Sequence, residues 1–293
     1  MKSGTLWRLL ALLGTAAAVL PGQSTKLIDV SEPRPLWHAL DDLQSVVGGI
    51  INYEDPPYAN LLDCQDASTP QQRATQPPGW KLIVPRDGHL MATVPVPANG
   101  KAVESDALFD VNLLLTYYRL QKLPGDFKVE QANGALYVTP TKVLAADGVI
   151  RDLSSPLMVA ITIRNAQRSL VDTTQAILDA VQRATGLRIV TGKFPYLPVQ
   201  MVSFGASGEP ARDALARLFA QSSAALQSYR LIFEPTPDLM RDTDYVLNVG
   251  PVANPRIGRI AGNKRLLADI AEQSERAAHL ATLVDDVRKD AVN

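Results

Sequence analysis

Slid over itself by 138 positions, the chain lays "LDDLQSVVGGIINYEDPPY" (Leu40 to Tyr58) on "LDAVQRATGLRIVTGKFPY" (Leu178 to Tyr196), with seven identities in 19 positions. These are Leu40/Leu178, Asp41/Asp179, Gln44/Gln182, Gly48/Gly186, Ile51/Ile189, Pro57/Pro195 and Tyr58/Tyr196. An internal repeat constrains a fold more than any single motif, because one supersecondary plan must serve both stretches.

The apolar spacing gives that plan. Leu36, Ala39, Leu40, Leu43 and Val47 recur at helical intervals, Gly48 supplies a left-handed stop, and Ile50-Ile51 begins an extended run. Ile177, Val181 and Ala184, then Gly186, then Leu187, Ile189 and Val190 repeat it. Short strands precede each helix at "KLIDV" (26 to 30) and "MVAITI" (158 to 163). A second helix and a hairpin follow in each copy. They fall at 106 to 120, 126 to 130 and 135 to 139 in the first, and at 209 to 224, 229 to 234 and 244 to 249 in the second.

In this second part Val111, Leu114 and Leu115 match Leu215, Leu218 and Phe219 at an offset of 104, so the first copy carries about 34 extra residues. The surplus lies between Ala59 and Gly100. There "STPQQRATQPPG" reads as an extended polar loop, and Asp87-Gly88 as the turn of a hairpin within "WKLIVPRDGHLMATVPV". "VQMVSF" (199 to 204) is the counterpart of that hairpin in the second copy. The fold class is therefore α+β. It consists of two tandem β-α-β-β-α-β-β modules, at 25–145 and 146–251, each with its helices on one face of a mixed sheet.

The ends read differently. "MKSGTLWRLLALLGTAAAVLPGQS" has Lys2 and Arg8, an apolar run from Leu9 to Leu20, and small residues at Ala16 to Ala18, the pattern of a secretory signal peptide. Residues 1–24 are assigned to it, with cleavage between Ala18 and Ser24. At 252–293, a Pro- and Gly-bearing linker leads into a helix whose stripe is Leu266, Ile270, Gln273, Ala277, Leu280, Val284 and Val287. That stripe serves either the chain's own second module or another chain.

Composition narrows the function. The whole chain has 29 Lys and Arg against 30 Asp and Glu, and the processed chain 27 against 30. Neither has the basic footprint of a nucleic-acid binder. No run after the leader is long and apolar enough to span a bilayer, so a soluble product in the periplasm or outside the cell is expected. Cys64 is the only cysteine, and a buried, inert thiol is favoured over an interchain disulfide.

Residues 173–190, 199–223, 229–234 and 245–249 resemble the short N-terminal domain shared by secretins and TonB-dependent receptors, and related secretin N-domains. Gly186 before a strand, Ala214-Leu215 in the second helix and Tyr229 to Phe233 in the closing hairpin carry the likeness over 158 to 250, and more loosely over 26 to 142. The resemblance implies a periplasmic, non-catalytic module that binds partner proteins or its own kind. With neither pore nor barrel segment in the chain, it does not imply pore formation or receptor transport.

Chemistry centres on "YEDPPY" (53 to 58). The second copy keeps Pro-Tyr but has Gly192 and Lys193 in place of Glu54 and Asp55, so the acids read as a turn's decoration that the fold does not need. Adjacent residues of an extended segment point to opposite sides, which disfavours an acid/base pair. A partner-binding surface is the intermediate reading, with Glu54, Asp55, Tyr58, Tyr196, Leu280 and Val284 as its candidates. The competing class is an exported hydrolase or carbohydrate-active enzyme using Glu54 or Asp55 with Asp63 or Asp66. His38, His89 and His279 show no metal-ligand spacing, Ser207 in "FGASGEP" reads as a helix cap, and "AGNKR" lacks phosphate-loop spacing. No cofactor and no metal are expected. The partner is an envelope protein or a second copy.

Overall fold

A computed structural model describes residues 23–76, 78–79, 81–97, 107–194, 200–221, 227–234 and 244–252. Residues 1–22 of the expected leader, the expected C-terminal helix with Leu280 and Val284, and Tyr196 lie outside the described residues, whereas Gln23 and Ser24 open the first strand.

The first copy runs β1 (Gln23–Pro33), α1 (Pro35–Val47), β2 (Ile50–Glu54), then β3 (Cys64–Asp66), α2 (Pro70–Thr75) and β4 (Ile83–Pro85). It continues through β5 (Asp87–Pro97), α3 (Ala107–Leu120), β6 (Asp126–Ala132) and β7 (Ala135–Leu144), with a short β8 (Ile150–Asp152) after it. The second copy runs β9 (Ala160–Ser169), α4 (Leu170–Thr185), β10 (Arg188–Thr191), β11 (Met201–Pro210), α5 (Ala211–Phe219), β12 (Gln227–Glu234) and β13 (Asp244–Pro251). With β3, α2 and β4 set aside, both copies follow the repeated α+β plan.

Pairing repeats as well as order. The first strand of each copy pairs antiparallel with its third, β3 and β4 set aside, β1 with β5 and β9 with β11. The second strand lies parallel to the last, β2 with β7 and β10 with β13, and the last two form an antiparallel hairpin. The helix stops also match: Gly48 and Gly186 cap α1 and α4 at φ 66° and 75°, each N–H returning to the Gln four residues earlier. At the β6–β7 turn, Asn133 and Gly134 both take the positive φ that a tight hairpin requires.

The copies share one sheet. Its order is β10-β13-β12-β2-β7-β6, with β8 beside β7, so β12 of the second copy lies parallel to β2 of the first. Side chains alternate between two cores. Ile51, Tyr53, Leu136 and Val138 face α1 and α3 of the first copy; Ala135 and Tyr137 join the core of α4 and α5. The helices of each copy therefore keep to one face, and the two copies use opposite faces. Leu40, Leu43, Leu178 and Val181 are all completely buried.

The surplus in the first copy differs from the sequence reading. "TPQQRAT" is a helix rather than an extended loop, because Thr69 and Gln72 form a reciprocal capping box and Pro70 suits the first turn. Asp87-Gly88 begins β5 and does not turn a hairpin: β4 pairs with β3, while β5 pairs with β1. Ser207 sits inside β11 opposite Thr162 rather than capping α5. The stretch after residue 145 still serves the first copy, since β8 pairs with β7. Among the described residues no helix is long and apolar enough to cross a membrane.

Candidate functional site at the seam between the copies

The seam is short in main-chain terms. Arg230 pairs with Tyr53 and Leu231 with Glu54, and the Asp55 N–H donates to the Leu231 carbonyl at 2.8 Å. Polar side chains extend it in both directions. Asn52 Oδ1 accepts from the Tyr229 N–H at 2.9 Å, and Gln44 Nε2 donates to Ser228 Oγ at 3.1 Å while its Oε1 accepts from the Ile51 N–H at 3.0 Å. Arg230 donates to Asp41 Oδ1 from Nε at 3.0 Å and from Nη2 at 2.5 Å, and also reaches the Ile51 carbonyl.

Asp55 anchors the far end. Its Oδ2 accepts from Arg34 Nε at 2.6 Å and from the Phe233 N–H at 3.0 Å, and its Oδ1 accepts from the Tyr53 hydroxyl at 2.7 Å. Arg34 also donates to the Phe233 carbonyl, closing a ring that links α1, β2 and β12. To do this Arg34 adopts φ 59°, a left-handed conformation uncommon for a non-glycine residue. Burial pushes the Asp55 carboxyl above its ordinary range; Arg34 pulls it back most strongly, followed by the Tyr53 hydroxyl. With a guanidinium at 2.6 Å, the contact is an ion pair.

Glu54 points to the other face, as alternation requires. Its Oε1 accepts from the Tyr229 hydroxyl at 3.0 Å, whereas Oε2 has no hydrogen-bond partner. Ser155 and Tyr229 favour the charged form, although the Ser155 hydroxyl falls short of hydrogen-bond geometry to Oε2. Burial outweighs both and pushes the carboxyl from 4.5 up to about 7. Nearby, the Arg212 guanidinium lies 4.5 Å from the centre of the Tyr137 ring and pairs with Glu130 at 3.0 Å.

These positions correct the reading of "YEDPPY" as surface decoration. Glu54 and Asp55 are each 1 % exposed and Tyr58 3 %, so none can present itself to an external partner. Tyr58 packs at 6.4 Å against the Phe233 ring, inside the core of the second copy. Nor is Asp55 dispensable. What it binds is the other half of its own chain, whereas the second copy's equivalent strand, β10, has no such neighbour among the described residues.

The sequence missed Arg34, Asp41, Asn52, Arg230 and Gln44 as a set. Only the Asp41/Asp179 and Gln44/Gln182 identities marked any of them. Cys64 is buried, as expected. Beside the seam, on the first copy's helical face, a groove of about 300 Å³ is lined by Trp37, Asp41, Ser45, Arg230, Asn248 and Gly250, among others. Among the described residues no three His, Cys, Asp or Glu side chains gather as a metal-binding set. No family model, curated protein or solved structure matches the chain.

Proposed function

We propose that the chain is an exported, non-catalytic interaction or assembly protein of the bacterial envelope, working by contact with an envelope protein or with its own kind. The observation that carries this reading is the seam itself: the module's sheet edge is a docking surface already used once within the chain, by β12 on β2. The resemblance to secretin and TonB-receptor N-terminal modules points the same way, and the N-terminal leader supports export to the periplasm or beyond.

One feature favours the competing hydrolase reading. A carboxyl raised to about 7 is typical of a general acid. Against it, Glu54 is 1 % exposed, and Asp55 faces away into its ion pair with Arg34. Two carboxyls flanking one substrate bond need a shared cleft, which this arrangement does not offer.

The test is co-purification of the tagged full chain from envelope extracts, alongside glycan and peptide hydrolysis by the purified protein. Specific recovery of an envelope protein or of untagged chain, without hydrolysis, is expected. Hydrolysis that Glu54→Gln removes without loss of folding would replace the assembly reading with the enzymatic one.

A further inference from the structure

We propose that the chain binds a second copy of itself by sheet continuation, β6 of one copy adding parallel to β10 of the next. This deepens the assembly reading, and rests on it, by naming the partner and the register.

Strand order within the sheet carries the argument. Read across it, the second copy contributes β10-β13-β12 and the first β2-β7-β6, in each case second strand, last strand, penultimate strand. The seam joins the penultimate strand of one module to the second strand of the other. Among the described residues, the two ends of the sheet are another penultimate strand, β6, and another second strand, β10. They are the same two surfaces that meet at the seam.

Direction agrees as well. β2 and β7 run together with β6 opposed, and β12 is parallel to β2 but opposed to β13 and β10. A half-turn about a line across the strands, with a shift along that line, therefore carries one module onto the other. Applied once more, the same operation lays β6 of one chain parallel to β10 of the next. Such a head-to-tail contact is heterologous, so it propagates rather than closing as a symmetric dimer.

The ladders fix the residues. Tyr53 and Val129 both pair with Val138, and Thr191 and Leu231 both pair with Leu247, so Tyr53 corresponds to Thr191 and Val129 to Leu231. The seam pairs Arg230–Tyr53 and Leu231–Glu54 then become Lys128–Thr191 and Val129–Gly192 between chains.

Two features at the outer edges match this register. The ion pair Arg230–Asp41 has its equivalents in Lys128 and Asp179, a cation and a carboxylate at opposite ends of the sheet. The buried Glu54–Tyr229 contact has its equivalents in Gly192 and Phe127, where both polar groups are missing together, so this pair leaves no orphan.

The present partners of these groups have to be exchanged. Lys128 meets Glu130 at 2.7 Å and is 52 % exposed, and exposed pairs contribute little. Asp179 accepts from Gln175 Nε2 at 2.7 Å, the Thr191 N–H donates to Gln175 Oε1 at 3.3 Å and the Lys193 N–H to Asn248 Oδ1 at 2.9 Å, so the added strand replaces side-chain contacts by main-chain ones. The Arg34–Asp55 clamp has no like-for-like equivalent, since Asp172 and Lys193 occupy those positions. The contact between chains is accordingly weaker than the one within the chain, and reversible.

The experiment mixes two full-length chains, one carrying Lys128→Cys and the other Thr191→Cys, both with Cys64→Ala and with folding checked by circular dichroism. A short bis-maleimide is added, and sedimentation velocity is run in parallel on the unmodified chain and its charge variants. Cross-linked dimer in the mixture and in neither chain alone is expected. Asp179→Lys should weaken association by at least about tenfold, and adding Lys128→Glu should restore it.

A chain that stays monomeric overturns the proposal, whether its β10 amides exchange freely or are protected by another segment of the same chain. Oligomers that neither cross-link nor respond to the charge changes overturn it too, showing a second copy held elsewhere. In either case co-purification of a different envelope protein would leave the assembly reading standing.

Discussion

Arg34 and Asp55, 21 positions apart, meet at 2.6 Å across the point where β2 leaves the shared sheet, and both also hold Phe233 of the second copy by its backbone. This ring of contacts is buried, so the loss of one member strands a charge. Asp55→Ala should reduce stability by about 3 to 5 kcal/mol, as expected for a buried ion pair broken on one side. Urea unfolding of the variant against the parent chain measures it. A change below about 1 kcal/mol would mean that the pair behaves like an exposed one.

Glu54 gives the molecule a pH signature. Its folded-state value of about 7 lies above the ordinary 4.5, so the folded state holds the proton more tightly than the unfolded chain. The contribution is complete below about pH 4.5, declines as pH rises from there to about 7, and is gone above it, a total of about 3 kcal/mol. Glu54→Gln keeps the shape and removes the titration. The stability difference between variant and parent should therefore shift in the variant's favour by about that amount between about pH 5 and about pH 8. A difference that does not change with pH would contradict it.

The repeat predicts matched sensitivities. Leu40 and Leu178 occupy corresponding places on α1 and α4, and both are 0 % exposed. Leu40→Ala and Leu178→Ala should each cost about 2 to 5 kcal/mol. Denaturation midpoints, with unchanged slopes, are the measurement. A mild effect at only one of the two would show that the copies no longer share a core plan.

Gly205 sits at the β-bulge in β11, where the register with β9 shifts between Phe204 and Ala206. An added Cβ would lie 2.8 Å from the Asn165 backbone nitrogen. Gly205→Ala should therefore destabilise by about 1 to 3 kcal/mol, because backbone must move to admit it. Thermal melting of the variant checks this against Gly134→Ala, whose added Cβ meets nothing within 4 Å and whose penalty comes from its φ of 74° alone.

Much of this was legible in the sequence. Gly48 and Gly186 fixed the helix ends, and the apolar stripes on α1 and α4 fixed the buried faces, because both signals are local. The seam was not legible, for a physical reason. β2 is covered on both faces, so "IINYE" lacks the alternation of a half-exposed strand, and its polar side chains find partners far along the chain. The replacement of Glu54 and Asp55 by Gly192 and Lys193 read as dispensability. It marks instead that only one of two equivalent edges is filled within the chain. The capping box at Thr69 and Gln72 was present in the sequence, but the surrounding Pro and Gln residues made the segment read as a loop.

The central claim is that the two copies are one folded unit, joined through β2 and β12, rather than two beads. Differential scanning calorimetry of the dilute chain addresses it most directly. A single transition is expected, with calorimetric and van't Hoff enthalpies in a ratio of about one. Two resolved transitions in the unaltered chain, each with the enthalpy of a single module, would contradict it.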